Sequence, residues 1–114
     1  MLEKKYEIKH PDSKAAFEEL INGKKPVLVD FFATWCGPCQ MMGPILEDMA
    51  KTYKNIDEVE IAKVDIDEIP EVASAFNVMS VPTFILFKDG KEAEKMVGMR
   101  PAAEFESKLD GLLK

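Results

Sequence analysis

The hydrophobic positions of this chain follow two different periods, and the places where the period changes predict an alternation of strands and helices. Short apolar runs rich in β-branched and aromatic residues are typical of buried strands. Apolar residues that recur three and four positions apart are typical of helices with one face against a core. These patterns predict strands at 6–8, 27–33, 61–65, 83–87 and from the turn at 88–91 to 97, and helices at 13–21, from the cysteines to 53, at 70–76 and at 101–113.

The order of these elements, three strand–helix pairs followed by two strands and a helix, predicts an α/β fold with a mixed sheet. A helix between two strands favours a right-handed crossover that leaves the strands parallel. The Asp89-Gly90 pair between the last two strands is typical of a tight hairpin, so we expect those strands to be antiparallel. The apolar stripe of the second helix continues past Pro44, which predicts a proline kink rather than a helix end.

Both cysteines of the chain lie where the second strand meets the second helix, in the segment Cys36-Gly37-Pro38-Cys39. Residues three apart on a helix have Cα atoms about 5 Å apart, and a disulfide needs about 4.4–6.8 Å. The pair can therefore open and close without moving the backbone. Pro38 suits a first helical turn, where no N–H is needed, and Gly37 leaves room beside the sulfur for another backbone.

The start of the helix also predicts which sulfur reacts. Free N–H groups and the helix dipole favour an anion at a helix N-terminus, here a thiolate. Cys36, the outer residue, gains most from this and should have a depressed pKa. Cys39 lies one turn inside and should be more buried. We therefore assign Cys36 as the nucleophile and Cys39 as the resolving thiol.

Two other roles for the cysteines are disfavoured. A structural disulfide across two residues would close a tiny loop and remove little unfolded-state entropy. A zinc site needs four ligands, and the chain offers two cysteines and His10, which we expect in a solvated loop. A C-x-x-C pair at a strand-to-helix junction instead indicates redox chemistry.

At this point the sequence resembles the thioredoxin family. Residues 29–39 are similar to its active-site signature, 81–84 to a second signature and 97–98 to a third, and the likeness runs from about 17 to 113. The resemblance implies a thioredoxin fold: a central five-stranded mixed sheet in the order 1-3-2-4-5 flanked by four helices, with 1–114 as a single domain. Phe32 departs from many bacterial members, which carry a second tryptophan there.

Asp30 is the one charged residue of the second predicted strand. By strand alternation it should be buried, and a buried carboxylate is costly unless it is neutral or paired. The residues alone leave open a structural aspartate bonded to backbone. The resemblance implies instead a proton acceptor for Cys39, with Lys63 as the cation that tunes the pKa of Asp30.

The bond before Pro82 is expected to be trans from base rates, since only about 5–6% of such bonds are cis. The resemblance implies the opposite, a cis-proline that faces the disulfide. It also implies a substrate-binding rim formed by Trp35, Gly37, Pro38, Val81, Pro82 and Gly98. Most methionines are expected in the core, with Met79 and Met99 as contact candidates.

The function implied by the resemblance is general protein-disulfide reduction, with no bound cofactor beyond a redox-active Cys36–Cys39 disulfide. The implied partners are disulfide-containing proteins and a thioredoxin reductase, either an NADPH-dependent flavoprotein or a ferredoxin-linked enzyme. Two alternatives stay open. One is a disulfide oxidase or isomerase of the same fold, and the other is a redox-independent accessory binding subunit.

Length, charge and composition restrict the domain number, the partners and the cellular compartment. A length of 114 residues is typical of one domain, and the net charge of −6 disfavours nucleic acid and anionic membranes as partners. No apolar run approaches the ~20 residues of a membrane span, and no signal peptide is recognised. We therefore predict a cytoplasmic monomer. Seven acids lie in residues 57–71, and we interpret them as a solvated face, not a metal site.

Overall fold

A computed structural model describes residues 7–114 and confirms the predicted order of elements. Tyr6, part of the first predicted strand, lies outside the described residues. A short 3₁₀ helix, Ile56–Glu58, was not predicted. The remaining elements are β1 (Ile8–Lys9), α1 (Lys14–Ile21), β2 (Val27–Phe32), α2 (Gly37–Thr52), β3 (Glu60–Asp65), α3 (Pro70–Ala75), β4 (Thr83–Lys88), β5 (Lys91–Val97) and α4 (Ala102–Leu112).

The five strands form one mixed sheet in the order β1-β3-β2-β4-β5, as the resemblance implied. β3 is parallel to both β1 and β2, whereas β4 is antiparallel to β2 and to β5. β2 is therefore central, with neighbours on both sides. Since ligand sites of open α/β sheets lie beyond the carboxyl ends of the strands, the end of β2 is the expected place for chemistry.

Local sequence explains the ends of these elements. Ser13 caps α1 by accepting a hydrogen bond from the Ala16 N–H at 3.1 Å. The β4–β5 hairpin turns at Asp89 and Gly90, which have φ of 54° and 79°. Two consecutive residues with positive φ are what a tight hairpin turn of this kind requires, so the predicted hairpin is confirmed.

The two faces of the sheet carry separate apolar cores. Leu28 of β2 packs with side chains of α2 and α4, whereas Val27, Val29 and Phe31 pack with side chains of α1 and α3. Successive strand residues point to opposite faces, so Asp30 shares the side of Leu28. α2 continues through Pro44 to Thr52, as its apolar stripe predicted.

Candidate active site

The cysteines occupy the first turn of α2 and are joined in a disulfide. Their Cα atoms are 5.3 Å apart, in agreement with the distance expected for residues three apart on a helix. Cys36 is the N-cap residue, and its Sγ accepts a hydrogen bond from the Cys39 N–H at 3.2 Å. A cap position that already receives an N–H is suited to hold a thiolate after reduction.

Both sulfur-bearing residues are buried, and their depths differ in the predicted direction. Cys36 is 5% exposed and Cys39 is 2% exposed. Ala33 belongs to the same small cluster, against which Phe32, Ile66 and Val81 pack. Gly37 has no atom within 4 Å of the position that a Cβ would occupy, so the space beside the disulfide is open to an incoming backbone.

A second segment of the chain lies against the disulfide. The Val81–Pro82 bond is cis, as the resemblance implied. The Sγ of Cys36 lies 3.6 Å from the carbonyl oxygen of Val81. Gly98 supplies the third segment, because its N–H donates to the Pro82 carbonyl at 2.9 Å. Gly98 has a φ of 93°, which a residue with a side chain rarely adopts. Three distant stretches of sequence thus meet at one edge.

Trp35 is on the surface beside the disulfide, 69% exposed, which confirms that it is not a core tryptophan. Its indole Nε1 donates to the Asp67 carboxylate at 2.9 Å. The Asp67 N–H in turn donates to Asp65 Oδ1 at 2.8 Å. These two bonds link the indole to the segment that follows β3.

Asp30 is fully buried. Within residues 7–114, neither of its carboxylate oxygens has a hydrogen-bond partner, which argues against the alternative of a structural aspartate bonded to backbone. Burial raises the pKa of Asp30 from 3.8 to about 7, and the nearby Lys63 charge partly opposes that rise. The carboxyl group therefore changes charge near neutral pH, where a proton acceptor is useful.

Lys63 lies beside Asp30 because the two residues are register partners in the parallel β2–β3 pair. Its Nζ is 4.6 Å from the centre of the Phe32 ring, a cation–π distance. A surface pocket of about 240 Å³ extends from Lys63 to Cys39. Its lining residues are Phe32, Ala33, Thr34, Cys39, Gln40 and Lys63. Water can therefore reach the surroundings of Cys39.

Sequence reasoning missed two residues of this region. Asp67 was treated only as part of a solvated acidic run, and nothing local in the sequence links it to Trp35. Met41 was expected in the core with most other methionines but is 62% exposed. Its place in the helical pattern, one position before buried Met42, is the signal that could have identified it.

No group of three or more His, Cys, Asp or Glu side chains in the part of the chain that is described could hold a metal ion. None of the helices described is long and apolar enough to cross a bilayer.

An α/β protein with a C-x-x-C disulfide at a helix N-terminus, next to a cis-proline, is a thiol–disulfide oxidoreductase in class. The sequence model of the family described as Thioredoxin matches residues 8–111, and the chain belongs to the thioredoxin family. It is thus a protein-disulfide oxidoreductase, and its redox group is the Cys36–Cys39 disulfide itself.

Named relatives agree with this assignment. A thioredoxin from Alicyclobacillus acidocaldarius is 48% identical over 99 residues, covering 87% of this chain and 92% of the relative. A bifunctional thioredoxin reductase/thioredoxin from Mycobacterium leprae is 46% identical over 76% of this chain, which corresponds to 19% of that protein. The solved structure of Malassezia sympodialis thioredoxin has a TM-score of 0.88 at 32% identity, and the match covers 100% and 97% of the two chains.

Proposed function

We propose that this protein is a general reductase of protein disulfides, in which Cys36 attacks and Cys39 resolves. The observation that carries the proposal is the place of Cys36 Sγ, at the N-cap of α2 and 3.6 Å from the Val81 carbonyl. The helix end stabilises the attacking thiolate. The backbone of Val81, which lies next to Cys36, then offers a place for a substrate strand to pair.

The reaction consists of two thiol–disulfide exchanges. The Cys36 thiolate attacks one substrate sulfur, a Cys36–substrate disulfide forms, and the other substrate sulfur leaves as a thiolate. Cys39 then attacks Cys36 Sγ and releases the second substrate thiol, leaving the Cys36–Cys39 disulfide. The substrate gains two electrons and two protons, and the protein loses them.

Asp30 is the proposed acceptor of the Cys39 proton. Its pKa of about 7 lets it exist as the carboxylate at neutral pH and still bind a proton. The pocket lined by Cys39 and Lys63 has room for water next to the inner cysteine, and water there is the proposed relay of that proton. Lys63, by opposing the rise in the Asp30 pKa, keeps the carboxyl group titratable in the working range.

The proposed binding rim unites the residues that surround the disulfide. Trp35, Gly37 and Pro38 are exposed beside the cysteines, and the remaining members face them from two other segments: Val81, Pro82 and Gly98. The exposure of Trp35, Gly37 and Pro38 beside the cysteines leaves the site accessible to protein chains, which supports a general reductase.

The proposed electron donor is a thioredoxin reductase. The fused reductase/thioredoxin relative supports this choice of partner. We take an NADPH-dependent flavoprotein as the first candidate and a ferredoxin-linked enzyme as the second. We also propose that residues 1–114 act as one domain, as a monomer, in the cytoplasm. Sedimentation of the purified chain tests the monomer, and fractionation of the source cells tests the compartment.

The decisive experiment follows NADPH consumption with purified thioredoxin reductase and insulin as the disulfide substrate. The protein should support turnover, and a variant with both cysteines changed to serine should not. A parallel assay supplies ferredoxin-thioredoxin reductase with reduced ferredoxin and follows the precipitation of reduced insulin, and comparison of the two rates identifies the donor. If the double variant kept its cellular role, the accessory-subunit alternative would be favoured.

Equilibration with glutathione separates reductase from oxidase or isomerase. Thioredoxins in general have reduction potentials near about −270 mV, whereas disulfide isomerases and strong oxidases lie at about −180 and −120 mV. A value at the oxidising end would contradict the proposed direction. The Gly37-Pro38 pair between the cysteines supports the reducing assignment.

A further inference from the structure

The exposed large hydrophobic side chains of the described chain belong to the three segments that meet at the disulfide. Each lies within three residues along the sequence of Cys36, Cys39, Pro82 or Gly98, and the full set is Trp35, Met41, Met79, Val97 and Met99. Exposed apolar side chains gathered beside a reactive group are typical of a surface that receives a partner. Three of these five are methionines, so oxidation of their thioether groups would change this surface.

Met79 is the most exposed of the five, at 91%. It precedes by two residues Val81, whose carbonyl oxygen is 3.6 Å from Cys36 Sγ. Packing within this chain therefore does not explain a large apolar side chain at this position. A contact with a bound substrate does explain it, since a flexible thioether adapts to many apolar partners.

The segment that carries Met79 is held at both ends. Thr83 Oγ1 donates to the Ser80 carbonyl at 2.7 Å on one side. On the other side, Lys95 Nζ of β5 donates to the Phe76 carbonyl at 2.7 Å. The backbone is thus tied to other residues on both sides of Met79, while its side chain is open to solvent and to oxidants.

We propose that Met79 is a substrate-contact residue whose oxidation by hydroperoxides weakens the binding of protein substrates. This inference rests on the proposed function. The Met79 sulfur takes one oxygen atom from the peroxide and loses two electrons, the O–O bond breaks, and hydrogen peroxide is reduced to water. The cysteines are not consumed when they are already joined in the disulfide.

The sulfoxide changes the surface because it is polar where the thioether is apolar. Desolvating it against an apolar substrate side chain is unfavourable. KM for a protein disulfide should rise, while the exchange steps at Cys36 are unchanged. A small disulfide reaches Cys36 without covering Met79 and should be reduced as before. Met42, Met49 and Met96 are buried and should resist oxidation.

The test oxidises the full-length disulfide form with hydrogen peroxide, removes the peroxide with catalase, and locates sulfoxide by peptide mass mapping. Two substrates are then compared with dithiothreitol as the electron source: insulin and bis(2-hydroxyethyl) disulfide. Each variant is scored as the ratio of its treated to its untreated rate. The set is the parent, Met79→Leu and the matched control Met41→Leu, with untreated Met79→Gln as a polar mimic.

For the parent, KM for insulin should rise about 3–10-fold on treatment, the scale of losing part of a buried methionine contact. The rate with the small disulfide should be unchanged. Met41→Leu should respond like the parent, because Met41 lies in α2 and not in the segment that leads to Val81 and Pro82. Treated Met79→Leu should lose much less of its rate than the treated parent, the remainder being due to the other exposed methionines. Met79→Gln should show a raised KM without treatment.

Equal losses in treated Met79→Leu and treated parent would overturn the inference, as would a parent that carries Met79 sulfoxide with an unchanged KM. If the untreated parent fails to accelerate insulin reduction over dithiothreitol alone, the proposed function itself has failed. The two failures are therefore distinguishable.

Discussion

The two ends of α2 place carboxylates in opposite circumstances. At the C-terminal end, Tyr53 caps the helix; its hydroxyl donates to Asp110 Oδ1 at 2.6 Å, and Asn55 Nδ2 donates to the same oxygen at 3.0 Å. At the other end, β2 leads into the helix with Asp30 fully buried. Neither oxygen of Asp30 has a hydrogen-bond partner among the residues that are described.

The difference appears in the charge states. The hydrogen bonds from Tyr53 and Asn55 hold the pKa of Asp110 below its ordinary value, because they stabilise the anion. Burial raises the pKa of Asp30 to about 7, because it destabilises the anion. A carboxylate that is paired anchors the fold, whereas one that is buried alone is available to exchange a proton at neutral pH.

The largest effect should come from replacing the cysteines at the N-terminal end of α2. Cys36→Ser should reduce insulin turnover to background, because no thiolate remains to attack. Cys39→Ser should attack once and then stall as a mixed disulfide, which non-reducing electrophoresis detects. Brief alkylation of the reduced parent at mildly acidic pH should label Cys36 first. Equal labelling, or labelling of Cys39 first, would contradict the assigned roles.

Replacement of Asp30 should increase stability and slow resolution. Its folded pKa of about 7 lies above the ordinary value of 3.8, so the unfolded state gives up its proton first as pH rises. The contribution of Asp30 to stability is therefore intact below the unfolded pKa, falls as pH increases between the two values, and is lost above the folded one. At about 1.36 kcal/mol per unit, the penalty approaches about 4 kcal/mol at pH 8.

Denaturant melts of Asp30→Ala at pH 4 and pH 8 measure this. The gain over the parent should appear mainly at pH 8, and rapid-quench assays should show slower decay of the mixed disulfide. Asp30→Asn, nearly equal in size but without charge, controls for the cavity that alanine leaves. Destabilisation of both variants at both pH values would make Asp30 a structural group.

At the C-terminal end of α2, where Asp110 is hydrogen-bonded, stability depends on pH in the opposite direction. Tyr53→Phe removes only the hydroxyl and should lower the free energy of unfolding by about 1 kcal/mol, the net value of a typical hydrogen bond. The pKa of Asp110 is lowered in the folded state, so its contribution is present above the unfolded pKa and lost as pH falls.

The measurement is again a pair of denaturant melts, at pH 7 and below pH 3. The effect of Tyr53→Phe on the free energy of unfolding should shrink at the lower pH. Insulin turnover by the variant should match that of the parent at low and at high insulin concentration. A large loss of activity would show that the two ends of α2 are coupled, contrary to the comparison drawn above.

The smallest effect should follow loss of the acceptor for Trp35. Asp67→Ala removes the partner of the indole N–H and should lower kcat/KM for insulin about twofold to fivefold, as expected for an exposed hydrogen bond. Asp67→Asn retains an acceptor oxygen and should restore most of the rate. Trp35 is the one tryptophan of the sequence, so its fluorescence anisotropy reports whether the indole became mobile.

Local sequence determined the elements and the reactive pair. The apolar periods and the Asp89-Gly90 turn depend on neighbouring residues, and the structure confirms them. The distance between Cys36 and Cys39 follows from helix geometry alone, because residues three apart have nearly fixed separation. The sheet order came from the resemblance to a family, since local patterns do not specify which strands are neighbours.

Tertiary structure decided what surrounds the disulfide. The contacts of Trp35 with Asp67, of Cys36 with the Val81 carbonyl, and of Gly98 with Pro82 join residues far apart in the chain. No sequence period encodes such contacts, because they depend on how β2, β4 and β5 align. The unpaired state of Asp30 is likewise a property of packing. Its burial could be predicted from strand alternation, but the absence of a described partner required coordinates. A hydrogen-bond donor would have lowered the pKa of Asp30 by stabilising its anion.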